Sequence, residues 1–294
     1  MPGSRLPLDP RAVLRIVREV RAEADRARTL VLAGAPGPSF ELAARLGEGG
    51  DGSALSEVTD RRLGEDDLAG AAALIYCVER APGREDEPAL RAAARAGVPV
   101  VCVLVGAATT VPRVPYVYTT DVVPTGGADV LPFERVAERI AVRLGERGPA
   151  VAARLPVLRG PICVEIVRRA SRHSGLVGAA FFVPGADYPV LALNQARMIL
   201  RLAAAHGLEL DRERALELAA ALGLGLGVRA LAREATGLLP GPGWAYKGLL
   251  AYSGTRVIGE AAITRFSSLR EENLTREPRA GREAGKGRAV RSGS

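Results

Sequence analysis

Thr29-Leu30-Val31-Leu32-Ala33-Gly34-Ala35-Pro36-Gly37-Pro38-Ser39-Phe40-Glu41-Leu42 decides the fold of this chain. Four apolar residues in a row after Thr29, Leu30 to Ala33, read as a strand buried on both faces, because a half-exposed strand would alternate with polar positions. The glycine and proline run then punctuates the chain, and a short helix is expected through Leu46. Outward from this unit the same grammar repeats. Ala72–Val78 and Val98–Val105 read as two more buried strands, Pro115–Thr119 as a fourth, and helices are expected over 85–96 and 132–144. Gly47–Ser53 reads as a polar loop. Continuous apolar strands separated by helices predict an α/β domain with a parallel sheet covered on both sides.

Strand, glycine turn and helix also open mononucleotide sites, so residues 34–42 carry a chemical test. A phosphate loop needs four residues between two glycines, then Lys and Ser/Thr, so that backbone amides wrap the phosphates. Counting from Gly34, the second glycine position holds Ser39, the lysine position Phe40 and the magnesium-hydroxyl position Glu41. No lysine precedes Lys247, and Pro36 and Pro38 remove two amide donors from the loop itself. Gly34, Gly37 and Ser39 are therefore the remnants of a phosphate loop without its chemistry, and no cofactor is expected. The base-selecting Asn-Lys-x-Asp pattern has no counterpart, since the two asparagines are Asn194 and Asn273. Asp67-Leu68-Ala69-Gly70 matches the loose DxxG pattern but precedes a strand, so Asp66 and Asp67 read as solvated turn residues. The order of elements over 28–147 resembles an Era-type GTPase domain. That resemblance implies a degenerate P-loop GTPase-like fold that neither binds nor hydrolyses GTP.

Beyond about residue 148 the strand signal ends. Ala/Leu-rich stretches over 162–182, 188–206, 212–238 and 244–269 read as helices, with Asp211 as an N-cap and Gly207 as the residue closing a helix after His206. Gly223 and Gly227 share one helix face, which permits close backbone approach. The stretches Val183–Pro189, Leu193–Ile199, Ala205–Gly207, Gly227–Ala232, Leu239–Gly243 and Thr255–Gly259 resemble a bacterial GTPase-associated helical domain of unknown function, seen in YcjF-like proteins. This likeness spans about 160–266. It implies an all-α module often linked to membranes, and no reaction. The expected organisation is an amphipathic helix over 1–27 with Asp9 as N-cap and Pro10 at its first turn, an α/β domain over 28–147, an all-α, glycine-rich helical domain over 148–269 and a disordered, charged tail over 270–294.

Composition narrows the function further. Of 40 basic residues only Lys247 and Lys286 are lysine, and the net charge of +7 is not concentrated in one stripe. Aromatic residues make up 4% of the chain, too few for base stacking, so nucleic acid is not an expected partner. Cys77, Cys102 and Cys163 have no paired spacing and read as buried thiols of a cytoplasmic protein. With two histidines, His173 and His206, each near a glycine, a metal site or hydrolase is not expected, and helix-end placement is the preferred reading of both. Asp187, Gln195, Arg197 and Arg229 are polar groups within apolar helices, read as an internal network with a peptide or lipid-headgroup site as the sharper option. Every long helix carries charges near its middle, each costing about 2.5–3.5 kcal/mol in a bilayer. These readings converge on a non-catalytic interaction or scaffold protein with a protein partner or self-association and contact with a membrane surface. The alternatives are a nucleotide-binding regulator with an atypical loop and an integral membrane protein.

Overall fold

The computed structural model describes residues 10–26, 28–58, 63–106, 111–125, 131–180, 188–208 and 243–289. Five parallel strands, β1 (Thr29–Gly34), β2 (Leu55–Val58), β3 (Ala71–Val78), β4 (Val100–Leu104) and β5 (Val122–Pro124), form one sheet in the order β2-β1-β3-β4-β5. This is the flavodoxin-like doubly wound order, in which the chain leaves β1 toward one edge and β3 toward the other. The α/β expectation holds. All eight residues of β3, the central strand, are buried.

Alternation along the strands divides the core into two. Leu30, Leu32, Ala73, Ile75 and Cys77 face one way, toward α2 (Pro36–Gly47) and α4 (Phe133–Leu144). Val31, Ala33, Leu74, Tyr76 and Val78 face the other, toward α3 (Glu87–Arg95). The first of these clusters does not stop at the sheet. It continues through Val151, Leu155 and Ile162 into Met198, Leu202 and Phe266, so the helical half shares a core with one sheet face.

That half is built from α5 (Gly148–Arg154), α6 (Arg159–Ala180), α7 (Tyr188–Ala205) and α8 (Gly243–Ala289). α6 and α8 lie against each other through glycines. A Cβ at Gly178 would stand 2.8 Å from Ala251 Cβ, and one at Gly259 would stand 2.6 Å from a Val167 methyl. α1 (Pro10–Ala24) buries Ile16, Val17 and Val20, and it packs on α7 and α5 rather than on the sheet.

Four sequence expectations change. Pro115–Thr119 is not a strand: Tyr116 has φ +63°, and Tyr116 and Tyr118 stay exposed beneath the guanidinium groups of Arg91 and Arg143. The strand follows at β5. Leu55–Val58, where no element was expected, is the edge strand β2, and its one buried residue, Val58, left no apolar run to find. Gly175 does not end a helix after His173; it sits inside α6, where its missing side chain admits Tyr252 and the Gly248 carbonyl. The last helix continues past Leu269 to Ala289 where a disordered tail was expected. Asp9, Asp211, the 212–238 helix, Gly223 and Gly227 lie outside the described residues.

The β5 edge is blunted against further strand pairing. Thr125 N–H donates to Leu104 O, so by two-residue alternation Val122 and Pro124 turn outward. The Val122 amide is spent on Thr119 O, and Pro124 has none.

Candidate functional site

In a doubly wound sheet, ligands sit beyond the carboxyl ends of the strands where the chain direction of winding reverses, here between β1 and β3. A cleft of about 850 Å³ lies at that place. Its floor is Ala33 and Tyr76–Val78, one wall is Gly34–Pro36, the other is the β3–α3 loop from Glu79 to Asp86 with Pro88 and Ala89, and Val58 and Leu63 close the far side.

Gly34 belongs to this wall for a steric reason. At φ +100° a Cβ would lie 2.0 Å from Cys77 O, and the Ala35 amide donates to that same oxygen at 2.8 Å. The glycine serves the closure of β1 against β3. Gly37 lies in the first turn of α2 with open space around it. Ser39 is fully buried, its hydroxyl donating to Ala33 O at 3.4 Å, away from the cleft. Phe40, at the lysine position, is 70% exposed.

Both helices that aim their amino ends at the cleft are short of amides. The first turn of a helix offers four unpaired N–H groups. In α2, Pro36 and Pro38 have none, Ala35 donates to Cys77 O and Ser39 donates to Ala35 O, which leaves Gly37. In α3, Pro88 removes another donor.

The opposite wall is held by Asp86, which sequence reading missed. Its carboxylate accepts from Tyr76 Oη at 2.8 Å, Gly83 N at 2.7 Å and Arg80 Nη1 at 3.1 Å, and only 6% of the residue is exposed. Arg80 also pairs with Glu85, so its charge is spent within the loop. Burial, then the hydrogen bond to Asp86, pushes the Tyr76 phenol well above its ordinary range, which fixes it as a donor. The sequence signal was Asp86 directly before a helix-opening Glu87-Pro88. Arg84 stands at the rim and has no partner among the described residues. Summed over the lining, Glu79, Glu85 and Asp86 against Arg80 and Arg84 leave one net negative charge.

No family profile matches this chain, and no curated protein matches it.

Gln195 and Arg197, two of the polar residues expected in the internal network, have separate partners. Gln195 is buried, and its Nε2 donates to Thr255 Oγ1 at 3.1 Å across to α8. Arg197, two positions on and so on another helix face, pairs with Glu19 of α1 at 2.9 Å. Asp187 and Arg229 lie outside the described residues. A part-buried polar link between α6 and α7 is Asn194, whose Nδ2 donates to Ala170 O and Ser174 Oγ.

His206 ends α7 as expected, with Gly207 at φ +70° and the paired bonds Gly207 N to Ala204 O and Leu208 N to Ala203 O. Its imagined role as the cation at the helix end goes to others. Burial lowers the His206 pKa, while Arg159 Nε and Arg270 Nη1 donate to the carbonyls of Ala205 and His206. Among the described residues no three of His, Cys, Asp and Glu are grouped to hold a metal ion, and no helix is long and apolar enough to cross a membrane. All three cysteines are buried; burial pushes the Cys77 thiol up to about 11 and those of Cys102 and Cys163 to about 12.

Proposed function

We propose that this chain is a non-catalytic interaction protein, a degenerate P-loop GTPase-like α/β unit fused to a helical module, acting by holding a protein partner or a second copy of itself. The observation that carries this reading is the pair of helix starts facing the cleft in which prolines have removed amide donors. A triphosphate brings three to four negative charges and is held elsewhere by a lysine and a nest of amides. Here it would meet one free amide at α2, a lining of net negative charge and a glycine committed to strand packing. The Era-type relationship rests on the order of elements along the chain and is part of the proposal.

Thermal unfolding with and without millimolar Mg-GTP and Mg-ATP tests it. No shift is expected. A rise of several degrees that disappears when Arg84 is replaced by Glu would refute it and favour a second reading, a nucleotide-binding regulator. That reading has one specific observation behind it, an open cleft at the winding reversal.

A further inference from the structure

α1 is amphipathic, and the structure spends only one of its faces. Ile16, Val17 and Val20 are buried against α7 and α5. At about 3.6 residues per turn, the direction opposite to that stripe is occupied by Arg11, Arg15, Arg18 and Ala22, with Arg21 and the half-buried Leu14 alongside. Arg15, Arg18 and Arg21 are exposed, and none of them has a partner among the described residues. Glu19 is engaged with Arg197, and Glu23 with Arg26 and Arg28; Asp25, just past the end of the helix, is the one other exposed carboxylate near this face, and it makes no ion pair with Arg18 or Arg21. Arg15, Arg18 and Arg21 thus form a line of exposed guanidinium groups along about 10 Å of helix, with no ion-pair partner among the described residues.

We propose that this face of α1 docks on an anionic lipid surface, by charge alone and without insertion. The apolar stripe that would have entered the acyl region is already buried in the protein, so the helix cannot use it for lipid. Leu14, between Arg18 and Arg21 around the helix, is half-buried and is the one large aliphatic side chain on the exposed face; no aromatic residue accompanies it, so the face lacks the aromatic anchors of a protein hot spot and the rings that stack on bases. A fluid surface of anionic headgroups needs neither: each headgroup moves to meet a guanidinium. Arg15, Arg18 and Arg21 together are expected to raise partitioning onto such a surface roughly a hundredfold over a neutral one. The inference does not depend on the reading of the β1–β3 cleft.

Co-sedimentation of the full chain with vesicles tests it, using phosphatidylcholine alone and phosphatidylcholine with one third phosphatidylglycerol. Binding is expected to the mixed vesicles only, and to fall steeply between about 0.1 and 0.5 M salt as the charges are screened. The triple variant Arg15→Glu, Arg18→Glu, Arg21→Glu should lose binding while its thermal unfolding stays close to that of the parent, since all three side chains are exposed. The corresponding triple lysine variant should retain it. Absence of binding to the mixed vesicles overturns the proposal, as does binding that survives the glutamate variant. Preference for polyglutamate or duplex DNA over the mixed vesicles at equal salt overturns the choice of lipid.

Discussion

Replacing Gly34 by alanine would put a methyl carbon 2.0 Å from the Cys77 carbonyl oxygen and 3.0 Å from its carbon, at a residue with φ +100°. Two costs add. A non-glycine residue held in sparsely populated positive-φ backbone costs of order 1–3 kcal/mol. Overpacking against atoms that cannot rotate away costs about 1–3 kcal/mol more, and here the obstacle is main chain, tied by the bond from the Ala35 amide. The sum, about 2–6 kcal/mol, is a large part of the roughly 5–15 kcal/mol that holds a domain together. Gly37→Ala is the internal control. Its Cβ meets nothing within 4 Å and its position is helical, so it should stabilise by about 0.4–1 kcal/mol through the unfolded chain. Urea unfolding followed by circular dichroism measures both. If Gly34→Ala costs under about 1 kcal/mol, the strand-closure account of this glycine is wrong.

Three further outcomes follow from side-chain geometry. Tyr76→Phe removes a donor from a carboxylate that is 6% exposed, and should destabilise by about 1–3 kcal/mol in the same urea assay. Arg154→Met removes the donor to Arg28 O at 2.9 Å and the links to Asp51 and Ser53, and should cost about 1 kcal/mol, the net worth of the one strong backbone bond. His206 has a pKa lowered by burial from its ordinary 6.5, so the unfolded chain binds the proton more readily. Its contribution is full above pH 6.5 and is lost as pH falls toward the depressed folded value. Thermal unfolding from pH 7.5 down to 5 should show this decline, and His206→Gln should flatten it.

How much of this was legible beforehand depended on whether a signal was local. β1, β3 and β4 could be read because a strand buried on both faces must be apolar at every position, and Ala71–Val78 is. Gly207 could be read because a helix end needs its positive φ at a fixed place in the chain. β2 and β5 could not, because Leu55–Val58 is half polar and Val122–Pro124 is only three residues long. The cleft shows the same division. The failed phosphate loop was visible as Pro36, Pro38, Phe40 and Glu41. Asp86 was not, because a carboxylate in a loop looks the same whether it is solvated or collects Tyr76, Gly83 and Arg80.

The sequence by itself determined the α/β class, the helical second half and the loss of lysine and amides at the first turn, since each is a property of residue type at short spacing. Only the tertiary structure decided the strand order, the shared core between sheet and helices, and the split of Gln195 from Arg197. Arg154 and Arg147 show why: they reach from the helical half to Asp51 and to the Ala72 carbonyl, across 103 and 75 residues of chain. Contacts at that separation depend on where the whole chain has been carried, and no periodicity in the sequence records it.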